Sequence, residues 1–77
     1  MVTVVSESNV ELSWSIGRKI RHLRWQRGET QLDLADRLGI TYQEIQLYES
    51  GVRVVPLTLL TSIAAAQETP LEFYTET

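Results

Sequence analysis

Between Thr30 and Gly51 the chain reads TQLDLADRLGITYQEIQLYESG, and this stretch constrains the fold more than any other. Each half opens with a threonine followed three residues later by an acid, Thr30 with Asp33 and Thr41 with Glu44. That spacing is a capping box: the hydroxyl accepts from the amide three residues on, and the carboxylate accepts in return from the threonine amide. Leu34, Ala35 and Leu38 then give the first half an inner face, and Ile45 and Tyr48 give one to the second. Gly39 and Gly51 stop the two patterns, because glycine enters left-handed backbone without a Cβ clash. Only Gly39, Ile40 and Thr41 remain to join the helices, with Ile40 as an apolar plug under the turn.

The rest of the chain reads the same way. Ile16, Ile20 and Leu23 recur at helical spacing, which predicts a helix over 14–27 with Ser13 as its N-cap and Gly28 as its stop. After Gly51 an extended loop, VRVV, leads to Pro56. Pro56 or Leu57 opens a fourth helix whose apolar side is Leu59, Leu60, Ile63 and Ala64. Thr69 is placed to cap a last short turn with Pro70 in its first position, ending in Leu71, Phe73 and Tyr74. Residues 1–12 form a separate N-terminal arm. Its VTVV has strand propensity, and the arm is either a frayed terminus or a short strand that pairs with something. Residues 13–77 are then one all-α, compact five-helix domain.

A chain of 77 residues holds one small core, and dimerisation is a common remedy for that. With no cysteine there are no disulfides and no thiolate metal sites, and the single histidine, His22, has no second histidine to share a metal with. There is no nucleophile–base pair, phosphate-cradling glycine loop or carboxylate pair, so we expect neither an enzyme nor a cofactor, metal or small-molecule ligand. No apolar run approaches the roughly 20 residues that span a bilayer, and the N-terminus lacks the basic and apolar regions of a signal peptide. The net charge of −3 is unevenly spread. Residues 1–14 and 56–77 carry acids and no Lys or Arg, whereas 15–55 carry all seven bases against five acids. The local field, not the total, governs attraction for an anion.

Two short helices crossing on a three-residue glycine turn make a helix-turn-helix. At this point the chain resembles the XRE family of helix-turn-helix regulators, with their lambda-repressor-like fold. The matching residues are Arg24, Arg27, Gly28, Thr30 and Gln31, then Leu34, Ala35, Leu38 and Gly39. Ile45, Tyr48, Glu49 and Gly51 follow, with Pro56, Leu60, Ile63 and Ala64 after them. The resemblance covers about residues 16–74. It implies a cytoplasmic, sequence-specific DNA-binding transcriptional regulator. Such a protein is a repressor acting as a homodimer on double-stranded DNA, of the phage Cro, restriction-modification controller or antitoxin kind.

The third helix is then the recognition helix, about 41–50. On a helical wheel Gln43 and Leu47 fall within about 20° of the point opposite Ile45, with Gln46 and Glu44 flanking them. Such a side has no cation but suits base edges: glutamine bonds adenine N6 and N7, and an apolar side chain meets a thymine methyl. Base contact is expected from Tyr42, Gln43, Gln46 and Leu47. Phosphate contact is expected from Gln31 at the start of the second helix, from Thr41 and from Arg53. The family pattern makes Arg24 and Glu49 a structural ion pair. The dimer surface is expected at Leu71, Phe73 and Tyr74, with Leu57 as a further candidate.

A second class of function competes. Trp14, Arg18, Arg21 and Trp25 share the outer face of the first helix, and both residue types are enriched at protein interfaces. They are a partner surface, or the N-terminal segment folds back over them. With an acidic total and a cation-free third helix, the chain could be a protein-interaction module, an adaptor or antitoxin-like binder that keeps the fold without DNA.

Overall fold

A computed structural model describes the backbone of residues 7–76, with side chains from Glu11 onward. It contains five helices: α1 Glu7–Gln26, α2 Gln31–Leu38, α3 Tyr42–Glu49, α4 Leu57–Ala66 and α5 Leu71–Thr75. Both capping boxes form. The Thr30 hydroxyl accepts from the Asp33 amide at 3.0 Å and Asp33 accepts from the Thr30 amide at 2.9 Å. Thr41 and Glu44 do the same at 3.2 and 3.3 Å. The Thr30 backbone hydrogen bond also holds the Asp33 carboxyl below its usual range. Gly39 sits at φ 71°, in the left-handed region that only glycine enters cheaply.

The first helix differs from expectation. It begins at Glu7, not after Ser13, and Ser13 is buried within it. Leu12 and Ile16 extend the i, i+4 stripe upstream, so the helix continues through a residue that resembles a cap. The strand or frayed end read into VTVV falls on residues 1–6, outside the described part, while 7–12 of the expected arm are helical. At the other end Pro70, not Thr69, is the residue before α5.

Helix α1 packs on α3 and α5, and α2 packs on α3 and α4. Between them lies one core of Ile16, Ile20, Leu34, Ala35, Ile45, Tyr48, Val55, Leu60, Ile63, Ala64 and Tyr74. Leu23, Leu38, Ile40 and Leu59 pack against it half-buried. The α1–α3 contact is backbone on backbone. A Cβ on Gly17 would lie 2.3 Å from the Tyr48 carbonyl oxygen and 2.6 Å from that of Glu49. A glycine inside a helix is costly in isolation; here it lets α1 cross directly over the last turn of α3.

Tyr74 corrects one expectation. Assigned to the dimer surface, it is fully buried, and its hydroxyl donates to Gln67 Oε1 at 2.6 Å. Gln67, itself buried, donates through Nε2 to the Ile20 carbonyl at 2.9 Å. This chain of two bonds pins α5 and the end of α4 to α1, and burial pushes the Tyr74 phenol up to about 12. Adjacent helical residues lie about 100° apart, so α5 turns Tyr74 inward and leaves Phe73 partly exposed beneath Lys19.

Helix α4 closes on Glu68 at φ 52°, the left-handed position where glycine is usual. The Thr69 amide bonds the Ala64 carbonyl at 2.9 Å and the Glu68 amide bonds that of Ala65 at 3.1 Å. A non-glycine residue there costs roughly 1–2 kcal/mol. Its ion pair with Arg27, 3.1 Å long, is exposed and worth little. Glu68→Gly should therefore stabilise the domain by about 0.5–1 kcal/mol after the added freedom of the unfolded chain is counted. Thermal unfolding reads this as a rise of a few degrees; a lower midpoint would show that the ion pair matters more than the backbone.

Candidate nucleic-acid interface

The site is built on α2, the turn and α3. Tyr42, Gln43 and Gln46 are exposed and Leu47 is half-buried. Ile45, Tyr48 and Glu49 are buried on the opposite side. The two acids of α3 are both hydrogen-bonded, Glu44 in an exposed capping box and Glu49 in the interior. Glu44 accepts from the Thr41 amide and, at 3.2 Å, from its hydroxyl. Glu49 is 3% exposed and receives Arg24 in a two-pronged ion pair, Nε to Oε2 at 2.7 Å and Nη2 to Oε1 at 2.9 Å. The third prong of Arg24, Nη1, reaches the Glu29 carbonyl at 2.8 Å. The hydrogen bond with Glu49 raises the Arg24 pKa further above its usual value, although burial opposes it. The outward side of α3 thus presents Tyr42, Gln43 and Gln46, none of them charged, with the Glu44 carboxylate beside them held in its capping box.

The residues singled out for phosphate differ in their freedom. Gln31 at the start of α2 donates its side-chain Nε2 to Glu49 Oε1 at 3.2 Å, so its amide group is tied to the buried pair. The Gln31 backbone amide begins α2, where helix geometry leaves the first N–H groups without intrahelical acceptors. The Thr41 hydroxyl is engaged within its capping box. Arg53 is exposed, and its amide bonds the Leu47 carbonyl at 3.2 Å, which fixes the loop against the end of α3. Among the described residues, the other Lys and Arg side chains all meet a carboxylate, a carbonyl or an aromatic ring. Arg53 meets none.

Glu29 takes a salt bridge from Arg37 and stands 3.6 Å from Arg27. It closes the α1–α2 joint with charge instead of apolar packing.

The candidate partner surface lies elsewhere. Trp14 and Trp25 are 52% and 63% exposed on the outer side of α1. The Arg18 guanidinium lies 4.5 Å from the Trp14 ring centroid, and that of Arg21 lies 5.2 Å from that of Trp25. Trp14 also reaches the end of α3, where it lines a hollow with Glu11, Ser50, Gly51 and Val52. His22 is exposed on α1. Among the described residues no group of three metal-ligating side chains forms, and no helix is long and apolar enough to cross a membrane.

Two features of the site were not read from the sequence. One is Gly17, for which a glycine interrupting a helical run was the available signal. The other is the link from Gln31 to Glu49, for which the sequence offers none.

A family model described as helix-turn-helix matches residues 20–73. An uncharacterized HTH-type transcriptional regulator of Sinorhizobium medicae is 38% identical over 61 residues, 79% of this chain and 44% of that protein. Another from Rickettsia conorii is 31% identical over the same length, 49% of its own chain. The chain thus spans less than half of these curated relatives. Among solved structures, the restriction-modification controller protein C.AhdI from Aeromonas hydrophila superposes with a TM-score of 0.76 at 26% identity. The match covers 83% of this chain and 96% of that one. The biofilm master regulator SinR, solved in complex with DNA, superposes with a TM-score of 0.71 at 20% identity, over 77% of this chain and 95% of its own.

Proposed function

Because the chain belongs to the XRE-type helix-turn-helix family, we propose that it is a sequence-specific DNA-binding transcriptional repressor that acts as a homodimer and lays α3 in the major groove. The observation that supports this best is the set of exposed, uncharged side chains on the outer side of α3. Glu49 is buried against Arg24 and Glu44 is held in its capping box, while Tyr42, Gln43 and Gln46 are exposed. A side chain such as Gln43 can take adenine N6 and N7 together, and Leu47 can meet a thymine methyl. Phosphates on either side are gripped by the open amides at the start of α2 and by Arg53, which set register without reading sequence.

The division of labour gives different losses for different substitutions. On DNA selected from a random pool, Gln43→Ala should weaken specific binding by about tenfold or more and relax preference at one position. Arg53→Ala should weaken all sequences alike and reduce the salt slope by about one. Gel retardation at two salt concentrations measures both. No retention at low salt from a random pool would overturn the reading and leave the Trp14–Trp25 face, and a protein partner, as the working surface.

A further inference from the structure

Trp14, Arg18, Arg21 and Trp25 follow one another along α1 at intervals of four, three and four residues. At helical spacing they form a single row about 16 Å long. Each end of the row is an indole, more than half exposed, with a guanidinium over its ring. Beside the row, Trp14, Ser15, Arg18, Lys19 and His22 line a hollow of about 320 Å³. We propose that this face of α1 binds an acidic segment of another protein, one whose carboxylates alternate with apolar side chains. None of the four residues lies on α3, and the inference does not depend on what α3 binds.

Charge decides the class of partner. Residues 12–28 hold five of the seven Lys and Arg and no acid, in a chain whose total is −3. Two of the five are paired, Arg24 with Glu49 and Arg27 with Glu68, and Lys19 donates to the Glu76 carbonyl. Among the described residues Arg18 and Arg21 meet no carboxylate; each is held by an indole instead. A guanidinium over an indole keeps N–H groups at its rim free, and that rim matches a carboxylate through two parallel hydrogen bonds. The indole also steadies the fork before a partner arrives, so less freedom is lost on binding. The tryptophans add a demand for apolar contact beside the charge, and Trp and Arg are the residues that carry most binding energy at protein interfaces. A single-stranded nucleic acid would bring anions too. It holds on by stacking bases on aromatic faces, and here an arginine already lies over each ring.

Both tryptophans of the chain lie on this row, so their own fluorescence reports its occupation without a label. Random peptides of about a dozen residues, long enough as a helix to span the row and lacking tryptophan, are selected against the full chain at low salt. The selected peptides should converge on Asp and Glu interspersed with apolar residues. They should shift the emission to shorter wavelength as the indoles leave water, and bind more weakly as salt rises. Arg18→Glu and Arg21→Glu should each raise the dissociation constant at least about tenfold while circular dichroism stays unchanged, and Gln43→Ala should leave it as it is. Selected peptides without an acidic bias, or acidic peptides that bind both charge-reversed variants as tightly as the parent, overturn the proposal. An oligothymidylate that shifts the same emission at lower concentration than the peptides also overturns it, in favour of a nucleic-acid surface. So does self-association of the parent chain that Arg21→Glu abolishes, which would make the row a contact between copies. No duplex DNA is present, so the outcome is separate from that of the gel assay.

Discussion

Glu49→Ala should cost the domain about 3–5 kcal/mol, because it leaves the Arg24 guanidinium buried without its counter-charge. Arg24 is 6% exposed, and two of its three nitrogens bond the carboxylate that the substitution removes. The loss is a large share of the 5–15 kcal/mol that domains possess, so the variant should be largely unfolded near body temperature. Urea titration at 25 °C measures it. Replacing both partners by apolar residues of similar size should recover most of the stability, since a buried pair is expensive to break and much less so to exchange. A loss under 1 kcal/mol for Glu49→Ala would mean that water reaches Arg24 and that the pair does not lock α1 to α3.

Gly17→Ala should be nearly as damaging, although it adds a single methyl group. The new carbon would sit 2.3 Å from the Tyr48 carbonyl oxygen, inside any real contact distance, and the obstacle is backbone, which cannot rotate away. Helix α1 must then lift off α3, which also stretches the Arg24–Glu49 bonds. Overpacking in a core costs about 1–3 kcal/mol and occasionally more; with backbone in the way the upper end, about 3 kcal/mol, is expected. In an ordinary helix interior the same change would instead stabilise by about 1 kcal/mol. The sign of the shift in thermal midpoint therefore decides whether the α1–α3 crossing is as close as described.

What was legible in the sequence was chemistry that acts over three or four residues. The boxes at Thr30 and Thr41 and the glycine at 39 specify helix ends by local hydrogen bonds and backbone freedom, and the structure places α2 and α3 where those signals put them. Ser13 misled because a cap-forming residue and a small residue buried mid-helix look alike until the neighbouring element is known. Phe73 and Tyr74 could not be told apart because a five-residue helix has no periodicity to show which side faces in. The link from Gln67 to the Ile20 carbonyl spans 47 residues and the one from Gln31 to Glu49 spans 18. No local pattern encodes either. The α3 face was legible as a set of residue types. The engagement of its two acids was legible as well, Glu44 from its spacing to Thr41 and Glu49 from the family pattern that pairs it with Arg24; the tertiary hydrogen bonds added Gln31 as a further donor to Glu49.

The placement of α3 against DNA can be tested directly because the chain has no cysteine. Gln43→Cys, labelled with an iron chelate that cleaves nearby sugar–phosphate backbone, puts a cutter on the outer face of α3; Trp25→Cys puts the same cutter on the exposed face of α1. On DNA selected for binding by the parent chain, the label at position 43 should cut within the recognised half-site, in a cluster confined to a few base pairs, and the label at position 25 should leave that half-site intact. Cleavage from position 25 in place of position 43, or diffuse cutting from both, would contradict the account.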